Sequence, residues 1–262
     1  MILITGASGR VGRRTAELLA SEGHRLRLMT RDPQRAPQLP GAAIVRGDFA
    51  EPDTLQQAFA GISVALLVSG SGAPGQRALL HRNAFQAAQR AHVGHVIYFS
   101  LEGAAPDSKY PYSRDHYQSE QFLFETGLPC TILRNAFYMD MFPEKFDTAG
   151  VIRGPASNGR GAFVSREDVA RTSAAILLNP PGGIHDVTGP EALTVAEVAA
   201  RLSKMFRRQL RYEEAPREAM PDELSAGWFA AIAAGELSHT SDTIQRFTGK
   251  APLTLEEYFK TL

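Results

Sequence analysis

Short runs of apolar and β-branched residues alternate with longer stretches whose apolar positions recur at helical spacing. The short runs are "ILIT" (2–5), "RLRLMT" (25–30), "AAIVRG" (42–47), "VALLVS" (64–69), "HVIYFS" (95–100) and "CTILRN" (130–135). Each has the length and composition of a strand. Residues 13–23, 51–61 and 76–94 carry the helical period, with Leu18 and Leu19 on one face of the first. A parallel return between strands needs a crossover of helix length. Six strand runs separated in this way predict an α/β fold with a Rossmann-type, doubly wound and mostly parallel sheet.

Turn residues support these limits. Gly23, Gly61 and Gly94 stand where helix C-caps are expected, and Pro52 suits a first helical turn. After about residue 150 the rhythm changes: 154–161 is a loop, Ser165 opens a helix that "NPPGG" (179–183) ends, and Thr-capped helices follow at 194–206 and 254–262. The expected layout is a dinucleotide-type domain over 1–150 and a smaller C-terminal α/β lobe over 151–262 that partly returns to the sheet and supplies substrate walls.

The strongest chemical signal is "GASGRVG", residues Gly6, Ala7, Ser8, Gly9, Arg10, Val11 and Gly12, set between the first strand and the first helix. One glycine makes the tight turn, another admits a pyrophosphate to backbone N–H groups, and the third allows close helix–strand packing. The helix N-terminus adds partial positive charge. The second strand ends at Arg31, near the place of a ribose-binding acid in an NAD site, and a guanidinium there suits a 2′-phosphate. Arg10 and Arg35 reinforce that choice, whereas Asp32 favours NAD. The predicted cofactor is NADP(H). Asp48 and Phe49 after the third strand are candidates to meet the adenine, and Ser69, Gly70 and Ser71 form a small-residue carboxyl edge after the fourth.

These features, with "HRN" (81–83), "HYQSE" (116–120) and "GLPCTILRNAFYMD" (127–140), resemble the atypical short-chain dehydrogenase/reductases of the NmrA-like family, in particular NADPH-dependent type-2 quinone oxidoreductases and triphenylmethane dye reductases. The resemblance implies hydride delivery from NADPH to a quinone or similar flat conjugated acceptor. It extends the site to Ser100, His116 and the segment Asn135 to Tyr138, with Phe137 and Tyr138 as acceptor-facing groups. The family also includes NADP(H)-sensing regulators without turnover, and extended-type sugar-nucleotide epimerases and dehydratases are a further alternative.

In better-known relatives a Tyr-x-x-x-Lys pair donates the proton. Here the register from Tyr112 ends in His116. A neutral imidazole hydrogen-bonds a ribose, and an imidazolium donates a proton near neutral pH, but neither supplies a permanent charge. Quinone reduction asks less, because hydride addition gives a delocalised hydroquinone anion. Proximity then supplies much of the rate, with His116 orienting the acceptor or completing protonation and Tyr112 as a second candidate.

Composition narrows the field further. The 262 residues, 44% hydrophobic, are enough for one large core with a lobe. Twenty-eight basic and twenty-eight acidic residues cancel, which argues against nucleic acid as a partner. No apolar run has membrane-spanning length, "MILITG" lacks a leader pattern, and the lone Cys130 provides no disulfide framework. The histidines show no metal-ligand spacing. A cytoplasmic monomer or homodimer acting on a small molecule is expected.

Overall fold

The computed structural model describes residues 1–70 and 72–261. Strands β1 (Ile2–Ile4), β2 (Leu26–Thr30), β3 (Ala42–Arg46), β4 (Val64–Leu67), β5 (His95–Leu101) and β6 (Cys130–Asn135) fall on the six apolar runs. Later come β7 (Val151–Gly154), β8 (Arg160–Gly161), β9 (Gly183–Val187), β10 (Leu193–Thr194) and β11 (Arg211–Glu214). The main sheet has the order β3-β2-β1-β4-β5-β6-β9, so the strand order reverses beside β1. The pairs β2–β3, β1–β2, β1–β4 and β4–β5 all run parallel. Such a switch point leaves a crevice at the carboxyl ends of the strands.

The crossovers are α1 (Arg10–Ser21), α2 (Pro52–Phe59), α3 (Arg77–Arg90) and α4 (Pro111–Glu125). Helix α1 buries Val11, Thr15, Ala16 and Leu19, one helical stripe. Gly23 and Gly61 are left-handed, as helix ends require. Gly94 differs. The left-handed residue after α3 is His92, and a Cβ at Gly94 would lie 2.8 Å from the Ser63 carbonyl oxygen, so close backbone approach explains that glycine.

The chain divides differently from a single boundary at residue 150. One compact unit comprises 1–100, 115–134 and 169–185, and the other comprises 101–114, 135–168 and 186–262. Helix α5 (Arg166–Leu178) and strand β9 carry the chain from one unit to the other. The first unit's core gathers Phe59, Phe85, Val96, Tyr98 and Ile132 around the sheet.

The second unit pairs β7 with β11 in parallel and β8 with β10 antiparallel. It adds α6 (Val195–Phe206), α7 (Glu223–Ala233), α8 (Thr243–Thr248) and α9 (Leu255–Phe259), over a core that includes Phe142, Phe163, Trp228 and Phe229. Thr194 and Thr254 each close a capping box, with Glu197 and Glu257 as reciprocal partners. Ser165 accepts the Asp168 N–H at 3.0 Å, opening α5. Among the described residues, no helix is long and apolar enough to cross a membrane.

Arg27 ties the sheet to a helix end. Its Nη1 donates to the carbonyls of Gln57, Ala58 and Ala60 at 3.3, 3.0 and 2.7 Å. A cation on the last carbonyls of a helix satisfies orphan acceptors and opposes the negative end of the dipole. Arg27→Ala is expected to lower stability by about 1 kcal/mol in urea denaturation, with the slope of the transition unchanged.

Candidate functional site

The glycine loop has the geometry its spacing predicts. Gly6 has φ +60°, and a Cβ on Gly12 would meet the Gly6 carbonyl oxygen at 2.5 Å, so only glycine lets α1 start this close to β1. Gly9 caps α1 without a side-chain hydrogen bond, no acid stands in the first turn, and the first helical bond runs from Arg13 N–H to the Gly9 carbonyl. A helix N-terminus with neither a side-chain cap nor an acid is the kind of end that suits an anion.

Beside this helix end lies a cavity of about 230 Å³. It is lined by Gly6, Ser8, Gly9, Met29, Thr30, Arg31, Gly47, Asp48, Phe49, Val68, Ser69, Gly70 and Leu80. Eight of the residues expected to bind a dinucleotide thus share one cavity within the first unit: Gly6, Ser8, Gly9, Arg31, Asp48, Phe49, Ser69 and Gly70. Ala7, Val11 and Gly12 are buried behind it as packing, Arg10 is exposed, and Ser71 lies outside the described residues. Asp48 Oδ1 is occupied by the Ala50 N–H at 2.9 Å.

The end of β2 separates the two charges that bear on cofactor choice. The Asp32 carboxylate accepts the Gln34 N–H at 3.0 Å and caps a short 3-10 turn over 33–35. Arg31 lines the cavity, its side chain exposed. Arg13 donates to the Arg35 carbonyl at 2.9 Å and holds the turn against α1. A guanidinium presented to the cavity beside a carboxylate already engaged fits a dinucleotide carrying a 2′-phosphate.

His116 does not face this cavity as a proton donor. It is buried, its Nδ1 2.8 Å from the Tyr98 hydroxyl and its Nε2 3.3 Å from Arg77 Nη2. His81 is also buried: its Nε2 accepts the Gly70 N–H at 3.2 Å, and its Nδ1 lies 2.9 Å from Ser119 Oγ and 3.0 Å from the Tyr98 hydroxyl. Burial first, and the Arg77 charge second, push His81 down to about 3; the same causes hold His116 well below the usual histidine range. Both rings are neutral at physiological pH. Desolvation therefore works against the imidazolium role that sequence allows for His116.

Ser100 is likewise turned inward. Its hydroxyl donates to Glu120 Oε1 at 2.5 Å, and Glu120 in turn receives Arg134 Nε at 2.9 Å and Nη2 at 2.6 Å. Glu120, the acid of the "HYQSE" segment, is thus a buried ion-pair partner joining α4 to β6.

The remaining candidates belong to the second unit. Tyr112 and Phe137 both pack edge-to-face on Tyr110, at centroid distances of 5.6 and 5.3 Å, and Phe137 adjoins Trp228 at 5.8 Å. Tyr138 lies under the Arg166 guanidinium at 4.6 Å, and burial pushes its hydroxyl up to about 12. Asn135, at the end of β6, is buried with Oδ1 lacking a hydrogen-bond partner, and its carbonyl accepts the Glu102 N–H at 3.0 Å. Sequence reasoning passed over Glu102. Its carboxyl is buried, and burial, then Asp186, pushes it up to about 9 against a smaller opposing effect of the His239 backbone.

A glycine turn opening onto a helix N-terminus at the switch point of a doubly wound sheet defines a dinucleotide-binding protein. A family described as NAD(P)H-binding matches residues 6–180, and the chain belongs to that family. It is 30% identical to quinone oxidoreductase 2 of Escherichia coli (strain K12), over 98% of this chain and 96% of that protein. The structure of an NADPH-dependent quinone oxidoreductase from Escherichia coli, complexed with NADPH, matches with a TM-score of 0.89 at 27% identity, covering 100% of this chain and 99% of that one. Citrobacter sp. triphenylmethane reductase complexed with NADP(H) matches at 0.87 and 28% identity, covering 100% of both. The family resemblance carried by the sequence motifs is borne out.

Glu102 yields a test of its own. Its folded-state value is raised, so its stabilising protonated form is fully present below the unfolded value of 4.5 and is lost as pH rises through about 9. Glu102→Gln should match wild type near pH 4 and become progressively more stable than it toward pH 8, by at most about 1.4 kcal/mol per pH unit. Urea denaturation at several pH values reads this directly; a pH-independent difference would show the carboxyl to be solvated.

Proposed function

We propose that this protein is an NADPH-dependent oxidoreductase that reduces quinones or similarly flat, conjugated acceptors. The observation that carries the cofactor choice is the pairing of Arg31, open to the cavity, with Asp32, committed to its own turn. The first-turn amides of α1 receive the pyrophosphate, Arg31 the 2′-phosphate, and Phe49 covers one side of the cavity. When bound, the cofactor supplies the hydride.

The commitments of two groups in the expected acid positions support the acceptor class. The histidine in the lysine register is buried and neutral, and Ser100 is committed to Glu120. The alkoxide that hydride addition to an ordinary ketone generates needs a positioned acid to protonate it. A hydroquinone anion, already delocalised, takes its proton from solvent. The relatives named for quinone and triphenylmethane reduction support the same acceptor class.

NADPH oxidation should proceed with small quinones and be poor with simple aliphatic ketones; cofactor binding without turnover on any conjugated acceptor would instead favour a sensor. Arg31→Ala should weaken NADPH binding on the order of tenfold while leaving NADH nearly unchanged, as one charge-assisted contact to phosphate predicts. Equal loss for both cofactors would remove the 2′-phosphate assignment.

A further inference from the structure

The loop that follows β4 forms one wall of the cavity through Ser69 and Gly70. Both backbone groups of Gly70 are held from behind. Its N–H donates to His81 Nε2 at 3.2 Å, and its carbonyl accepts Arg77 Nε at 3.1 Å. Farther along, the Gly75 N–H donates to both oxygens of Asp115, at 3.0 and 2.9 Å. Arg77 and His81 lie on α3, while Asp115 and His116 lie on the buried side of α4.

Donor and acceptor counting leaves one self-consistent arrangement. His81 Nε2 accepts from Gly70, so its proton is on Nδ1, directed at Ser119 Oγ, whose hydroxyl donates to the Asp115 carbonyl at 2.8 Å. His116 Nε2 accepts from Arg77, so its proton is also on Nδ1, donated to the Tyr98 oxygen. Tyr98 then donates to the hydroxyls of Ser119 or Ser69 beside it. A second proton on either ring would oppose an N–H already pointing at that nitrogen. These tautomers are assigned from the partners.

We infer that His116 is a positioning residue: through Arg77 and Tyr98 it locks His81 and the Gly70 peptide, so that a proton-neutral network presets the cavity wall that meets the cofactor. This rests on the dinucleotide reading of the cavity. It assigns "HYQSE" to preorganising a loop, with no part in proton transfer. A wall held before binding spares the ligand the entropy of ordering it.

The test begins on the cofactor-free protein. In ¹⁵N spectra, both rings should be neutral Nδ1–H tautomers throughout about pH 5 to 8. A ring that titrates in that range, or a His116 Nε2–H tautomer, would overturn the network. In His116→Ala, amide exchange at Gly70 should accelerate at least roughly tenfold beyond the change at core amides, with NADPH affinity falling by a similar factor.

His116→Gln, whose amide can both accept from Arg77 and donate to Tyr98, should recover most of both losses. Unchanged Gly70 exchange in His116→Ala, or uniform acceleration with no recovery in His116→Gln, would reduce the cluster to packing. If wild type fails to bind NADPH while the Gly70 effects hold, the clamp stands and the cofactor reading fails.

Discussion

The approach of helix α1 to the end of β1 is the constraint on which the site depends. A methyl group at Gly12 would collide with the Gly6 carbonyl, so two backbones occupy the space of one backbone and one side chain. That contact aims the first-turn amides at the carboxyl edge of the sheet. The reversal of strand order beside β1 opens the crevice at the same place. Helix end, cavity and the Arg31 turn all take their positions from it.

Around that frame, ionisable groups are buried in two different ways. In the first unit, His81 and His116 are stripped of water but fully hydrogen-bonded, so the penalty falls on their charged forms and the neutral network is rigid. In the second, the Glu102 carboxyl is buried near Asp186 and is retained as a neutral acid. The first arrangement fixes geometry, and the second leaves a store of unfavourable desolvation at the end of β5.

The sheet was legible because its signals are local. A strand run, a glycine and a helical stripe lie within one short stretch of chain, as at Ile2 to Leu19. The phosphate-binding loop and Arg31 were legible for the same reason. The network of Arg77, His81, Tyr98 and His116 was not, since its partners lie 17 to 39 residues apart and meet only when α3 and α4 pack on β5. The inward partners of His116 and Ser100 were not legible either, since register does not say which side of a strand or helix is buried. The division of contacts was not legible near residue 150, because α5 and β9 carry the chain back across it. Glu102 resembled an ordinary surface turn acid, and only its burial sets it apart.

The bare N-terminus of α1 carries a consequence for the life of the protein outside catalysis. Gly9 offers no side chain to the first-turn amides, and no acid stands nearby to oppose the dipole. A dinucleotide phosphate in that position completes the helix as a cap does. Ligand affinity is then also folding free energy, gained in proportion to the logarithm of free ligand. A cell short of this dinucleotide, oxidised and reduced forms together, would leave this chain less stable as well as idle, and its proteases would meet more of it unfolded.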